Sequence, residues 1–306
     1  EKYYVSNAAD SSSAAGVLPV GSVTYRFYAD MKPGYNFQAL YGVTAHPLSI
    51  QTSTSFFNDE NYGSTSPNGI STTNIRKFTA MIDSWFSVGA GCSGKIGIRK
   101  TADTDGTLGN ANAILANTDP SIGFPLNGAT GRDGLATGAP VSVTFVGINN
   151  TGNGDLGVFD GTSQVGGQFS TNNGSIAALG GATGLDTTNI VLIGQFTTNG
   201  VLQYQLNIQI GTPTGGTENY VASNPTGSEI TRSFLSGTVG AANQAPTVSI
   251  TAPSNGSSFI TGASISITAT AADADGTVSS VEFFVDGTSI GVDNTAPYSA
   301  TYTGVL

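Results

Sequence analysis

The 306-residue chain has one cysteine, one histidine and one tryptophan. A single cysteine excludes an intrachain disulfide, and one cysteine with one histidine excludes the usual zinc ligand set. Charge is also scarce: Asp, Glu, Lys and Arg make up 10% of the residues, against about 25% in an average soluble domain. The few charges are unbalanced, with 20 acids to 10 bases and a net charge of −10. That balance argues against nucleic acid, whose phosphates demand a basic face, and against docking on anionic lipid. No apolar run reaches the roughly 18 residues that span a bilayer, so no membrane insertion is expected. The chain opens at Glu1 without a methionine, as expected of an exported protein that has lost a signal peptide, or of a fragment.

What the chain does have is glycine, 42 residues of it, among many Ser, Thr and Asn. Hydrophobic residues make up 38% and recur in short patterned runs, which argues against disorder. Asn-Gly occurs at Asn68, Asn127, Asn153, Asn173, Asn199 and Asn255, and Asp-Gly at Asp105, Asp133, Asp160, Asp275 and Asp286. These dipeptides favour two-residue hairpin turns, and between short apolar runs they predict an all-β architecture.

Residues 23–43 hold the densest group of aromatics. Val23, Tyr25, Phe27 and Ala29 alternate with Thr24, Arg26, Tyr28 and Asp30. After a Pro33-Gly34 turn, Tyr35, Phe37, Ala39, Tyr41 and Val43 alternate with Asn36, Gln38 and Leu40. Period two predicts two strands. The Tyr25/Phe27/Phe37/Ala39/Tyr41 face is the expected core, with Tyr28 on the solvent side beside Arg26 and Asp30. Residues 190–210 read as a second hairpin about Asn199-Gly200, its second arm having one buried and one wet, uncharged face. Further strands are expected at 48–57, 96–99, 141–148 and 156–159. Residues 75–88 fit a helical stripe and a strand face alike, and strand is chosen because the surroundings are β. Residues 103–117, 120–140 and 161–186 read as long loops.

The composition shifts at 236–245, a small-residue linker, which divides the chain into domains at 1–235 and 246–306. In the second, PTVSITAPSNGSSF, ITATAADADGTVSSVEFFVDGTSIG and APYSATY resemble a bacterial immunoglobulin-like domain of secreted multidomain proteins. The resemblance implies a spacer or adhesive module. An immunoglobulin sandwich has seven strands in roughly 100 residues, whereas 61 residues follow Ala245. The last strands are therefore expected from elsewhere, and an open edge invites strand addition. In the first domain YRFYADMKPGYNFQALYGV, MIDSWFSVGAG and QLNIQIGTPTGG resemble an uncharacterised β domain of secreted Bacteroidota proteins exported by the type IX pathway. No catalytic residues follow from that likeness.

Catalytic signals are thin. GAGCSGK at 89–95 fits the first seven positions of a phosphate-binding loop, but Ile96 replaces the Ser or Thr that would hold magnesium, and a strand, not a helix, is expected to follow. Gly152, Gly154 and Gly157 spell G-x-G-x-x-G with no helix pattern after them. Cys92 and His46 form a dyad only in principle. A glycosidase needs two facing carboxylates, and the candidates are Asp59, Glu60, Asp83, Glu218 and Glu229. For a metal, calcium fits best: Asp103 with Asp105, and Asp273 with Asp275, place alternate carboxylates before a glycine, although the same residues suit a plain turn. Sugar binding would use flat rings beside amides. The rings are Tyr28, Tyr35, Tyr41, Phe57, Tyr62, Trp85 and Tyr204, with Tyr28, Tyr62 and Trp85 the leading ligand contacts.

The sequence thus predicts a secreted or cell-surface all-β protein: a jelly-roll-like β-sandwich, then an incomplete immunoglobulin-like β-sandwich. Its expected function is structural or adhesive and non-catalytic, as a subunit of an extracellular fibre or large adhesin. Its partners would be other copies or modules, or a polysaccharide. The alternative is a carbohydrate-binding accessory region of a secreted glycoside hydrolase.

Overall fold

In the computed structural model the chain divides into two units, Glu1–Gly240 and Ala241–Leu306. The structure describes residues 1–77, 79–104, 115, 119, 132–148, 155–160, 166–240, 246–273 and 278–304. The first unit carries β1 (Lys2–Val5), α1 (Ala8–Ser13), β2 (Val23–Asp30), β3 (Asn36–Gly42), β4 (Leu48–Thr52), β5 (Trp85–Phe86), β6 (Ala90–Cys92), β7 (Lys95–Gly97), β8 (Leu135–Thr137) and β9 (Val143–Val146). It continues through β10 (Gln168–Thr171), β11 (Gly174–Ala182), β12 (Ile190–Thr198), β13 (Leu202–Gln205), β14 (Ile208–Gly211), β15 (Thr217–Val221), β16 (Ile230–Thr231) and β17 (Ser236–Val239). The second unit carries β18 (Thr247–Ala252), β19 (Ser264–Ala272), β20 (Val281–Val285), β21 (Thr288–Asp293) and β22 (Tyr298–Thr303).

The first unit is a β-sandwich. A six-stranded sheet, β16-β15-β14-β3-β11-β9, faces two four-stranded sheets, β1-β2-β12-β5 and β10-β4-β13-β17. Phe37, Leu40, Ile176 and Ile208 from the first sheet meet Val191, Ile193, Phe196, Ile50 and Phe169 from the others in one core. Its centre is aromatic: the Phe86 ring lies 4.9 Å from Phe169 and 5.0 Å from Phe196, centroid to centroid. Each such pair adds about 0.5–1.5 kcal/mol to the area it buries.

The strands predicted at 23–43 exist, but they do not pair. The Lys32–Tyr35 turn closes as predicted, with Gly34 at φ +85°. It carries the chain across the sandwich instead of back along one sheet, because β2 belongs to the β1-β2-β12-β5 sheet and β3 to the six-stranded one. The 190–210 hairpin fails in the same way: β12, β13 and β14 each enter a different sheet. The apolar positions of its second arm are buried, Leu202, Leu206, Ile208 and Ile210, but the predicted wet face fails at Asn207, which is fully buried and donates to the Tyr41 and His46 carbonyls. Of the six Asn-Gly or Asp-Gly pairs described in full, Asp286-Gly287 alone has both residues at positive φ, +48° and +78°, and it closes the β20–β21 hairpin.

The predicted faces change too. Thr24 and Arg26 are buried, whereas Tyr25 and Phe27 are half-buried against the core. The β2-β12 sheet is covered on both sides. On its second side lies a separate core, in which Tyr3 and Tyr4 of β1 and Trp85 of β5 meet Leu135 of β8 and, from irregular chain, Ile70 and Ile82. A bulge at Gln38 then shifts the register of β3, so Leu40 joins Phe37 inside while Tyr41 turns outward.

Other expectations need correcting. Residues 75–88 hold turns, a 3-10 segment Ala80–Ile82 and a two-residue strand, with Phe78 outside the described residues. The strand expected at 156–159 is a 3-10 turn, Leu156–Phe159. The expected loop at 161–186 contains β10 and the nine-residue β11, whose Gly, Ala and Ser content hid it. Residues 236–239, expected in the linker, pair as β17 with β13. Helix α1 was not expected; Asn7 caps it, and the Asp10 carboxylate accepts from the Asn7 backbone N–H.

In the second unit β18-β19-β22 form one sheet and β20-β21 another. The core is small: Ala269, Phe283 and Tyr298.

Polar groups bind the second layer to the sheet. The Lys100 Nζ, almost wholly buried, donates to the Tyr3 carbonyl at 2.6 Å. Burial pulls its ammonium down to about 8. The folded value lies below the unfolded one of about 10.5, so the cost of the buried charge is present in full below pH 8 and fades as pH rises toward 10.5. Stability should therefore rise over that window by up to about 3 kcal/mol. Chemical denaturation at pH 7.5 and 9.5 should show this rise in the wild type and lose it in Lys100→Met.

Candidate functional site

Asp59 and Asp83 hold backbone, whereas Glu60 is exposed. Asp83 is fully buried, and its carboxylate accepts the Asp59 and Ser64 N–H groups, each at 2.8 Å. Burial pushes its pKa well above the ordinary carboxylate range, against the pull of those hydrogen bonds. Asp59 accepts from the Asn61 and Tyr62 N–H groups and from the Thr79 hydroxyl. The two acids therefore meet in a fold-building turn with no cleft between them. Trp85, expected to contact ligand, is fully buried in the second core and has no face to offer, and Phe57 lies in the same core. Tyr62 is half-buried under the Lys77 ammonium, 4.5 Å from its ring.

Tyr28 is also half-buried. Its hydroxyl lies 3.0 Å from a Glu1 carboxylate oxygen and from the Ile98 carbonyl. Cys92 and His46 form no dyad. Cys92 is buried in the second core, where desolvation pushes its thiol up to about 12. His46 Nε2 lies 3.1 Å from Glu229. Residues 90–97 form a β6–β7 hairpin with no helix to receive phosphate. Asp103 is fully buried and accepts the Gly134 N–H at 2.9 Å. Asp273 follows the end of β19. Their expected partners Asp105 and Asp275 lie outside the described residues, as do Gly152 and Gly154.

Besides a recess of about 410 Å³ at Tyr25, Tyr28 and Tyr204, two larger ones open among the described residues of the first unit. One, about 550 Å³, is an apolar cleft whose floor includes Met31, Ile193, Leu206 and Ile208 and whose lip includes Tyr35, Tyr204, Tyr220 and Phe234. The other, about 710 Å³, is a groove on the outer face of the six-stranded sheet. Register explains its shape. Ala177, Ala39, Gln209 and Asn219 stand in one row across β11, β3, β14 and β15, and the neighbouring row pairs Tyr41 with Ser175. Paired residues of antiparallel strands share a face, so the two alanines and the serine leave a hollow that amides and the Tyr41 ring border. Glu229 closes one end. It accepts from the Thr226 N–H and hydroxyl at 2.7 and 2.9 Å. Burial and the Glu229 carboxylate push the Tyr41 phenol up to about 12. The sequence named Tyr41, Tyr35 and Tyr204 among its rings but missed this groove. It depends on the bulge at Gln38 and on cross-strand register, which no local pattern records.

Residues 246–305 match the family described as Bacterial Ig domain. Domains of that family are common in extracellular proteins and are typically non-catalytic modules. The match covers the second unit and does not reach the first. Among solved structures, the fibronectin(III)-like modules of Clostridium thermocellum CbhA match at 29% identity over 40% of this chain and 56% of that chain, with a TM-score of 0.22. At that score the likeness carries no structural argument. No curated protein sequence matches the chain. Among the described residues no helix is long and apolar enough to cross a membrane.

Asp103 can be tested as a structural acceptor or a cation ligand. Asp103→Asn should lower Tm by about 4–8 °C through loss of a charged acceptor. The same loss in calcium and in EDTA, followed by calorimetry, is the expected result; a loss confined to calcium buffer would assign Asp103 to a cation.

Proposed function

We propose that the chain is a non-catalytic, structural or adhesive part of an extracellular bacterial protein, joined to other copies or modules through its β edges. The observation behind this reading is the inner face of β18. Val248 is in register with Ala271 and Ile250 with Ala269, and Ala269 is buried in the core of the second unit. Val248 and Ile250 therefore point to the core side, yet each is 64% exposed. β18 is also an edge strand. An edge with free backbone groups and uncovered apolar side chains is suited to taking up another strand. The use of Asp59, Asp83 and Asp103 as backbone acceptors also favours a scaffold over an enzyme.

The second reading, a carbohydrate-binding region of a secreted hydrolase, is favoured by the groove on the six-stranded sheet. Its amides and single tyrosine ring are the kit that sugar recognition needs.

Light scattering across a concentration series tests the first reading. The chain should self-associate reversibly, and Val248→Lys with Ile250→Lys should abolish association while leaving the melting of the first unit unchanged. A chain that stays monomeric at the highest concentration reached would remove the assembly claim.

A further inference from the structure

The groove on the six-stranded sheet has a chemistry specific enough to name its ligand class. We propose that it binds a neutral polysaccharide and rejects acidic ones. This rests on the sugar-binding reading and narrows it.

The argument starts with the groups left unspent. Gln38 Oε1 accepts from the Thr217 hydroxyl at 3.3 Å, and Gln209 Nε2 donates to Asn219 Oδ1 at 3.2 Å. That leaves Gln38 Nε2, Gln209 Oε1, Asn219 Nδ2 and the whole Asn36 amide without a protein partner among the described residues. Each amide presents a donor and an acceptor, and so does each sugar hydroxyl. The match is one of alternating donors and acceptors, with no need for charge.

The hollow is kept open by glycine. A Cβ at Gly211 would come within 2.6 Å of both Asn36 Oδ1 and Gln38 Nε2. With glycine there, both amides lie down over β14 instead of standing up into the groove. The apolar component sits beside them. Tyr41 faces Ser175 in register, and serine is too small to cover the ring. Leu179, on the groove wall, is 71% exposed. The ring suits the C–H face of a pyranose, with Leu179 a separate apolar wall further along β11, while the amides take the hydroxyls.

Charge sets the selectivity. The described lining contains no Lys or Arg to receive a carboxylate or sulfate, and its one charged residue is the acid Glu229. The chain as a whole carries −10. A polyanion would therefore meet repulsion and no counter-charge, whereas a neutral chain loses nothing.

The test uses the full chain in affinity electrophoresis against neutral polymers (mixed-linkage β-glucan, xylan, mannan) and acidic ones (polygalacturonate, alginate). At least one neutral polymer should retard the protein, and Gln209→Ala and Asn219→Ala should each weaken that retardation about fivefold, the worth of one hydrogen bond. Thermal melts confirm that these surface variants fold. Retardation by acidic polymers equal to that by neutral ones would overturn the neutral selectivity and leave sugar binding standing. Retardation unchanged in the double variant would move the site away from the groove. No retardation by any polymer would overturn the sugar reading itself.

Discussion

A layer of irregular chain can be buried only if something hydrogen-bonds its backbone, and the β2-β12 sheet does this from below. Gln195, fully buried on β12, donates through Nε2 to the Met81 and Asp83 carbonyls and accepts from Arg26 Nε at 2.8 Å. Arg26 passes its other donors to the Gly134 and Ile98 carbonyls and lays its guanidinium 3.6 Å from the centroid of the Tyr3 ring. Thr197 bonds Thr24 and donates to the Ile82 carbonyl. A hydrophobic face there would have left these carbonyls without donors, at about 1–3 kcal/mol each. The sheet is therefore apolar toward the sandwich core and mixed toward the overlay, where Arg26, Gln195 and Thr197 sit beside the apolar Leu192 and Trp85.

This explains which parts of the fold were legible in the sequence. The all-β class, the strand-rich second unit and the buried apolar positions of residues 202–210 follow from period two and turn chemistry. The overlay face of β2 misleads, because polarity suggests solvent: Thr24 and Arg26 look wet in sequence, and they are buried because a second layer needs their donors. β11 was missed for the opposite reason. Its outward residues are small because they line a groove, and a run of Gly, Ala and Ser carries no strand signal. Turn dipeptides marked where the chain reverses, but most of those described connect sheets or loops and do not close hairpins.

The candidate site shows the same division. Residue types were readable: amides, tyrosines and a shortage of charge pointed to neutral polar surfaces. Position was not. Trp85 and Asp83, the most conspicuous pair in the sequence, serve the second layer, whereas Tyr41 and Ala177 lie far in the chain from Gln209 and Asn219 and join them only through register. A site assembled across four strands exists only after the sheet has formed.

The crossing of the chain from sheet to sheet has a further consequence for how the molecule comes into being. Asp30 is partnered by Ile190, Gln51 by Gln203, and Leu40 by Ile208. In a chain emerging N-terminus first, β2 can pair with β1 at once, but its other edge and both edges of β3 and β4 stay open until β10 to β14 arrive. Folding by such distant closures is slow. The sandwich can therefore close only once β12, which starts at Ile190, is available, and its early strands keep open edges until then.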